Sequence, residues 1–476
     1  MDEPTCPGCA ASAALLERQR EELARLRAEL QGLQKAQAAT EAKLAAAKKN
    51  SSNSSKRSSS EIVKKPRPKA DQKLKQGAQP GHQRHQRDPF SADQIDDTRD
   101  YTLSGCPDCG GHVEPSPEPP RVVQQVEWIA KPTEVVEHRG LAYWCASCQK
   151  THYGAIDANV RKAGLVGPGL TTLIAYLKGA CHCSFSTIRK FLRDVAGLTI
   201  SRGQLAKLIA KASDSLQFAY DLLLKLLPSQ SILNIDETGH KDRGESLWTW
   251  CFRAPLFTLF KISPSRGSQV LLDVLGQEFD GIIGCDYFSA YRKFMGDCNV
   301  LVQFCLAHLI RDIKFLAEHP DGRTSAYGRR VLDAVRNLFS VIHRRDSLTP
   351  ERFQIALQNA GDELWAQAIY RVPATKEARN LANRFEKHGA SYLRFITTPG
   401  IEPTNNLAEQ AIRFVVLDRH VTQGTRGETG QRWSERIWTT IATCTQQGRS
   451  LFNFLQDSLK AFFNGTPSPT LQPNSS

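Results

Sequence analysis

Two acidic residues each follow a short, mainly apolar run, and this pattern constrains the fold more than any other feature of the sequence. Residues 232–235 precede Asp236, and residues 282–285 precede Asp286. Short apolar runs of this kind predict buried β-strands. Because a strand end holds a carboxylate rigidly, we expect Asp236 and Asp286 to lie at strand ends that border a site.

A third acidic residue, Glu409, lies in a different setting. The polar residues Asn405 and Asn406 are suited to capping a helix, and apolar residues continue beyond them through Val415. The sequence therefore predicts a helix on which Glu409 can approach the sheet.

These three carboxylates have the chemistry of a magnesium site. Cleavage of a phosphodiester needs an activated oxygen nucleophile and a stabilised leaving oxygen, and two cations about 4 Å apart can provide both. Magnesium prefers oxygen ligands, few of them from protein. We predict that Asp236, Asp286 and Glu409 bind magnesium in an active site for phosphodiester cleavage. The alternative for each acid is a solvated surface charge.

The elements around the aspartates predict a ribonuclease H-like domain. The pattern indicates strands at residues 231–236, 247–253, 256–262, 281–286 and 299–305, and a helix at 268–275. Three strands, a helix and further strands, with acids ending the first and fourth strands, is the order of that fold. Apolar residues then recur at helical spacing and predict a helical insertion with its own core. Helices around Glu409 and over 432–455 would complete the catalytic domain.

At 476 residues the chain is too long for one ordinary core, so the predicted fold class is multidomain α/β. No long apolar run and no signal-peptide pattern occur, so we expect a soluble, intracellular protein. The predicted domains are a coiled coil (1–48), a disordered basic linker (49–87), a zinc ribbon (88–160), a helical domain resembling a helix-turn-helix (161–228), the two parts of the catalytic domain (229–305 and 399–460), the helical insertion between them (306–398) and a disordered tail (461–476).

The first two segments predict self-association and contact with phosphate. Leu16, Leu23 and Leu30 recur every seven residues, which is typical of a two-stranded coiled coil. A single amphipathic helix packed on its own chain is the alternative. Twelve Lys and Arg and two acids between Lys48 and Arg87 give 12 − 2 = +10 of the net charge of +13. Such a segment binds a phosphate backbone without reading sequence, unless it is only a solubilising linker.

Two cysteine pairs predict a structural zinc site. Strand-like residues 122–129 and 133–138 separate the pair Cys106 and Cys109 from the pair Cys145 and Cys148. Four thiolates in two such knuckles are the ligands of a zinc ribbon, which leaves no open position for a substrate. Chance pairs or a redox dithiol are the alternatives.

The helical domain contains a candidate DNA-reading element. Two amphipathic stretches within residues 184–212 meet near Gly197, and Ser201 can cap the second. A helix-turn-helix of this form would bring Arg202, Gln204 and Lys207 toward a DNA groove, although any helical hairpin has a similar pattern.

Taken in order, the motifs resemble the large transposase of the insertion sequence 66 family, a group of bacterial DDE transposases. The motifs are NSSNSSK, GAQPGH, CPDCGG, DETGH, CDYFSAY, CLAH and EPTNNLAEQAIR. The resemblance implies that Asp236, Asp286 and Glu409 are the catalytic acids, with Mg²⁺ or Mn²⁺ bound, and Zn²⁺ in the ribbon. The segment CLAHLIRDIKF departs from the family's CWAHxRRKF, and DRHVTQGTRGETGQRW departs from its usual downstream pattern, which leaves the end-binding contacts open.

The resemblance also implies a substrate and partners. The predicted function is cleavage of DNA at the terminal inverted repeats of a mobile element and transfer of the freed 3′ hydroxyl to target DNA. Partners would be DNA, a second copy of the chain and small accessory proteins, in the bacterial cytoplasm at the nucleoid and not at a membrane. Lys241, Arg243 and Arg413 are further candidate phosphate contacts. The alternatives are a non-catalytic DNA-binding protein and a nuclease that does not join.

Cys305 and His308 lie close in sequence and are candidates for a further metal site. Together with Cys285 and Cys298 they have the residue types of a metal site. The favoured interpretation is a buried thiol and a hydrogen-bonded histidine near the active site.

Overall fold

The computed structural model describes residues 7–47 and 133–473 apart from Ala146 and Cys148, together with scattered positions between 90 and 124. It divides into one unit of Met1–Val63 with His138–Ser476 and a second unit of Lys64–Glu137. In the second unit, the backbone of Phe90 exchanges hydrogen bonds of 2.6 and 2.9 Å with the side chain of Gln124. Among the described residues, no helix is both long and apolar enough to cross a membrane.

The N-terminal helix α1 spans Pro7–Ala47. The leucines of the predicted coiled-coil seam are each more than half exposed. These are Leu16, Leu23, Leu26, Leu30 and Leu33. A long helix is therefore present, and its pairing with a second copy stays a prediction. The basic linker, residues 49–87, lies outside the described residues.

The predicted zinc-ribbon region contains a short hairpin. Strand β1 (Ala142–Cys145) pairs antiparallel with β2 (Lys150–Tyr153). The strand predicted at 133–138 is wrong, since these residues have no strand structure and the hairpin is made by β1 and β2. Most of the strand predicted at 122–129 lies outside the described residues. Cys109 is exposed, whereas Cys106, Cys148 and the side chain of Cys145 lie outside the described residues. The zinc site stays a prediction.

Five helices follow the hairpin. They are α2 (Ala158–Ala163), α3 (Pro168–Gly179), α4 (Phe185–Ala196), α5 (Arg202–Ser215) and α6 (Gln217–Leu226). Helix α4 ends at Gly197, whose φ is +65°, and Ser201 caps α5 by accepting the N–H of Gln204 at 3.1 Å. The two amphipathic helices and the capping serine were thus predicted correctly, and their contact with DNA stays a prediction.

One mixed five-stranded sheet lies at the centre of the larger unit. Its strands are β3 (Ile232–Asp242), β4 (Glu245–Arg253), β5 (Thr258–Ser263), β6 (Ile282–Cys285) and β7 (Leu301–Phe304), in the order β5-β4-β3-β6-β7. The pairs β3–β6 and β6–β7 are parallel, and the others are antiparallel. The mixed α/β class is confirmed, and this sheet is compatible with a ribonuclease H-like domain.

Strand β3 differs from the prediction at its end. It was expected to stop at Asp236 but continues to Asp242. Its pairing with β6 does end near the aspartate, at Asn234, whereas its pairing with β4 continues to a tight turn at Arg243 and Gly244. Asp236 therefore lies where the parallel neighbour stops, inside a longer antiparallel hairpin.

The rest of the unit is mainly helical. The helices are α7 (Gln269–Leu275), α8 (Ser289–Cys298), α9 (Leu306–Ala317), α10 (Gly322–His343), α11 (Pro350–Ile369), α12 (Lys376–Tyr392), α13 (Arg394–Thr397), α14 (Asn406–Thr422), α15 (Glu428–Gln446) and α16 (Leu451–Asn464). Helices α9 to α12 pack on one another around buried residues such as Val331, Leu338 and Leu364, so the predicted helical insertion has its own core.

The C-terminal segment differs from the prediction in two ways. The helical structure predicted at 432–455 is present as two helices, because Gly448 takes a φ of +65° and Ser450 caps a new helix. The predicted disordered tail begins inside α16, and Leu471 beyond it is fully buried. Helices α15 and α16 pack against α3 and α5, so the N-terminal helices share a core with the C-terminal ones.

Helix α10 crosses α9 at close range. A Cβ atom added at Gly328 would lie 2.3 Å from the backbone nitrogen of Ala317 and 2.5 Å from the carbonyl carbon of Leu316. Backbone atoms of a packed helix cannot move aside cheaply. Glycine at position 328 is therefore required by the spacing of the two helices.

We predict that Gly328→Ala destabilises the protein by about 1–3 kcal/mol, because the added methyl group overlaps the backbone of α9. The matched control is Gly296→Ala in α8, where nothing lies within 4 Å of the added Cβ. That change should leave stability equal or raise it by up to about 1 kcal/mol. Urea unfolding followed by circular dichroism measures both. Equal midpoints for the two variants would contradict the close crossing.

Candidate active site

The two aspartates follow neighbouring parallel strands. The β3–β6 register pairs Leu233 with Ile283 and Asn234 with Gly284. Each pair differs by 50 in number, so the same register, continued for two residues, aligns Asp236 with Asp286. Adjacent strands lie about 4.8 Å apart, and aligned residues of parallel strands face the same side of a sheet. The sheet thus brings the two predicted aspartates to one edge.

The negative charges of both aspartates raise the pKa of the same two buried groups, Tyr291 and Cys285. The pKa of the Tyr291 phenol is raised by burial and, in addition, by the negative charges of Glu237, Asp286 and Asp236. Burial also raises the pKa of the Cys285 thiol, and the same three carboxylates add to that effect. Negative charge is therefore concentrated at this edge of the sheet, which favours a cation there.

The neighbour of Asp236 has a structural role that the sequence did not reveal. Glu237 is 1% exposed and accepts hydrogen bonds from the Tyr291 hydroxyl and from Arg266 Nε, the latter at 3.0 Å. The Arg266 guanidinium also lies 3.8 Å from the centre of the Phe288 ring. Because Glu237 is buried and paired with Arg266 and Tyr291, it joins β3 to the residues that follow β5 and to α8.

Asn405 joins helix α14 to the sheet. Its Nδ2 donates to the carbonyl of Ile235 at 2.8 Å, its Oδ1 accepts from Asn234 Nδ2 at 3.0 Å, and its backbone N–H donates to Cys305 Sγ at 3.1 Å. The sequence predicted Asn405 as a helix cap, but its side chain makes no capping bond in α14. The side chain is instead 2% exposed and bonded to the strand that carries Asp236.

This connection positions Glu409. The Glu409 N–H donates to the carbonyl of Asn405 at 3.2 Å, so Glu409 lies one helical turn from the residue bonded beside Asp236. Its Oε1 lies 3.5 Å from His308 Nδ1 and 3.6 Å from Arg311 Nη2, both on α9. Arg413, four residues along α14 and predicted as a phosphate contact, is exposed. The arginine that faces Glu409 is Arg311, which no sequence pattern indicated.

Cys305 lies between the sheet and both helices. It follows β7, caps α9 at its N-terminus, and donates its own N–H to the carbonyl of Cys285 at 2.8 Å. Burial raises the pKa of its thiol, while hydrogen bonds from the backbone of Asn405, His308 and Ala307 oppose that shift. The Cys305, His308 and Glu409 ligand atoms lie within 4.8 Å of one another. Neither Cys285 nor Cys298 belongs to this group.

The predicted phosphate contacts lie on exposed surface. Lys241 and Arg243 are at the far end of the β3–β4 hairpin, where the Arg243 guanidinium lies against the backbone of Arg426. Arg202 and Lys207 are exposed on α5, and Arg202 donates to Ser186 Oγ at 2.7 Å. Their contact with DNA is untested and stays a prediction.

His240, further along β3, is buried in a chain of hydrogen bonds. Thr425 donates its hydroxyl to Asp242, so its oxygen accepts from His240 Nε2 at 3.0 Å. His240 Nδ1 then accepts from Thr249, at 3.3 Å. Burial lowers the pKa of His240 to about 4, and the charge of Arg419 adds to the effect against that of Asp242.

We predict that His240 makes the protein lose stability as the pH falls from about 6.5 toward 4. The unfolded histidine, with a pKa of about 6.5, takes up its proton before the folded one, so the stabilisation is complete above pH 6.5 and decreases by up to about 3 kcal/mol below it. His240→Gln should flatten this decrease, and the exposed His343→Gln should not. Urea unfolding at pH 7 and pH 5 measures the difference. A wild-type slope in His240→Gln would refute this account.

We predict that Asn405→Ala costs about 2–4 kcal/mol of stability, because it leaves the buried carbonyl of Ile235 and the buried amide of Asn234 without their partner. The neighbouring Asn406 is exposed, so Asn406→Ala is the matched control and should change stability by less than about 0.5 kcal/mol. Thermal unfolding reports both. If the two variants unfold together, Asn405 does not hold α14 to the sheet.

Comparison with known proteins finds a distant relative. The chain is 23% identical over 356 residues to the uncharacterized protein y4qI of Sinorhizobium fredii (strain NBRC 101917 / NGR234). That match covers 67% of this chain and 64% of the relative, so the chain spans less than two thirds of the length of the protein it matches. The name of this relative assigns no activity.

A family model gives the stronger result. Residues 163–432 match the model described as "Transposase IS66 family", and these residues are more than half of the chain. The matched region begins in α2, contains β3 and β6, and includes Glu409 on α14. The protein therefore belongs to the transposase IS66 family.

Proposed function

We propose that this protein is a DNA transposase whose ribonuclease H-like domain binds the ends of its own mobile element, cleaves a strand there, and joins the freed 3′ hydroxyl to target DNA. Membership of the family points to DNA transposition. The finer proposal is that Asp236, Asp286 and Glu409 are the catalytic carboxylates. The observation that carries it is the parallel β3–β6 register, which aligns the two aspartates, together with the Asn405 bonds that hold α14 beside them.

The donor set fits magnesium or manganese. Carboxylate oxygens are the hard ligands that these cations prefer. Asp236 and Asp286 both raise the pKa of the Tyr291 phenol, which supports a site with concentrated negative charge. When bound, a pair of such ions lowers the pKa of an attacking water and stabilises the leaving oxygen.

Neighbouring residues would position the three carboxylates and offset part of their negative charge. Asp236, Asp286 and Glu409 would hold the cations. Asn405 fixes the helix that carries Glu409, and His308 and Arg311 limit where its carboxylate can turn. Arg311, at 20% exposure, also offsets part of the negative charge before DNA arrives.

The exposed basic residues would hold the DNA. Lys241, Arg243 and Arg413 are candidates for contact with the phosphates near the cut, and Arg202 and Lys207 on α5 for contact with the element ends. Exposed leucines on α1 support assembly of two copies through a coiled coil. We also propose a structural Zn²⁺ bound by Cys106, Cys109, Cys145 and Cys148, and small accessory proteins from the same element.

Two other functions are separated from this one by experiment. A non-catalytic DNA-binding protein would bind the element ends without cutting them. A nuclease without joining activity would cut them but leave a pre-cut end unjoined. A strand-transfer assay that supplies a pre-cut end and a supercoiled target tests the joining step alone.

We predict that Asp236→Asn, Asp286→Asn and Glu409→Gln each lower strand cleavage at the element ends by at least about 100-fold, because each removes charge that would hold a catalytic cation. None should unfold the protein, since carboxylates close together repel one another without metal. Gel assays of cleavage and thermal unfolding measure the two effects.

The matched control is Glu402→Gln, an exposed glutamate in the loop before α14. It should cleave at the wild-type rate. Wild-type cleavage by Asp236→Asn would rule out the proposed catalytic role.

A further inference from the structure

Cys305, His308 and Glu409 bring three different kinds of metal-binding atom together. The thiol sulfur, an imidazole nitrogen and a carboxylate oxygen lie within 4.8 Å of one another. We propose that these residues form a second cation site, which takes a thiophilic divalent cation such as Zn²⁺. We further propose, resting on the function above, that this site competes with the catalytic centre for Glu409, so that Zn²⁺ inhibits the enzyme.

The distances suit a tetrahedral cation. With metal–ligand bonds of about 2.0–2.3 Å, neighbouring ligand atoms stand roughly 3.3–3.6 Å apart. His308 Nδ1 and Glu409 Oε1 are already 3.5 Å apart. The Cys305 sulfur lies within 4.8 Å of both atoms, so closing the group around a cation needs it to approach them by at most about 1.5 Å.

The backbone around Cys305 fixes the position of its sulfur. Its Sγ accepts the N–H of Asn405 at 3.1 Å and is also approached by the N–H groups of Ala307 and His308 in the first turn of α9. These contacts hold the sulfur at the start of α9, within 4.8 Å of the ligand atoms of His308 and Glu409.

Glu409 is the residue that both sites would share. Its Oε1 is buried and accepts no hydrogen bond from the residues that the structure describes. Arg311 Nη2 lies 3.6 Å from this oxygen and would oppose a second cation, but its side chain is 20% exposed and can turn toward solvent. Arg311 and the cation are therefore alternatives at the same oxygen.

The ligand types separate this site from the catalytic one. Magnesium prefers oxygen ligands, whereas thiolate and imidazole select zinc and related ions. Three protein ligands leave a coordination position open, which is typical of sites that exchange ligands and not of closed structural sites. A cation held here would draw Glu409 toward Cys305 and His308 and away from Asp236 and Asp286.

The first experiment counts bound zinc in the full-length protein by equilibrium dialysis with Zn²⁺ alone. Wild type should bind one more equivalent per chain than Cys305→Ser or His308→Ala, because each variant loses one of three ligands. Cys298→Ser, which alters a cysteine outside the group, should bind as much as wild type. Arg311→Ala should bind the extra zinc several-fold more tightly. Circular dichroism identifies any variant that fails to fold.

The second experiment measures strand cleavage in Mg²⁺ while Zn²⁺ is added. The ratio of cleavage with zinc to cleavage without it is compared within each variant. Wild type should lose cleavage as the extra equivalent binds, and Cys305→Ser should need at least about 10-fold more Zn²⁺ for the same loss. Equal zinc counts in wild type and folded Cys305→Ser would overturn the cation site.

The two proposals fail separately. Absence of cleavage in every condition would refute the proposed function, while the zinc count would still decide the cation site. An extra equivalent of zinc with unchanged cleavage would refute the competition for Glu409.

Discussion

The candidate site depends on the hydrogen bonds of one buried residue, Asn405. One side chain bonds the strand that carries Asp236, and the backbone of the same residue bonds Cys305 at the start of α9. Leaving this buried amide without partners would cost several kcal/mol of folding free energy, so arrangements of α14 that break these hydrogen bonds are strongly disfavoured. These hydrogen bonds attach the N-terminus of α14 to strand β3. Gly284 on β6 leaves room for the Asn234 side chain that bonds Asn405, since a Cβ at position 284 would lie 2.5 Å from Asn234 Nδ2.

Helix α14 is held along its length as well as at its start. Asp418 accepts hydrogen bonds from Trp438 Nε1 on α15 and is paired with His182, both at 3.0 Å. Arg419 donates to Thr238 on β3 at 3.2 Å. These contacts hold the backbone of α14 in place. The freedom left to Glu409 is therefore rotation about its side-chain bonds. The proposed competition requires the Glu409 side chain to turn between the aspartates on the sheet and the Cys305 and His308 side chains.

The sequence predicted the local elements well and their mutual contacts less well. Alternating and apolar runs located all five strands of the sheet, and helical spacing located the insertion, because these patterns depend on burial within one element. Strand β3 was predicted too short, since its polar half is stabilised by pairing with β4, which no local pattern records. Asn405 was assigned a capping role from residue type alone. The partners of its side chain, Asn234 and Ile235, are 171 and 170 residues distant in sequence. Arg311 was missed for the same reason, since its approach to Glu409 follows from how α9 and α14 pack.

The central claim is that Asp236, Asp286 and Glu409 share divalent cations. Its most direct test is anomalous diffraction from crystals of the protein grown with Mn²⁺ and an element-end DNA. We expect manganese at the edge of the sheet, with two ions about 4 Å apart and all three carboxylates among their ligands. Manganese bound only elsewhere, or the three carboxylates held too far apart to share a pair of ions, would contradict it.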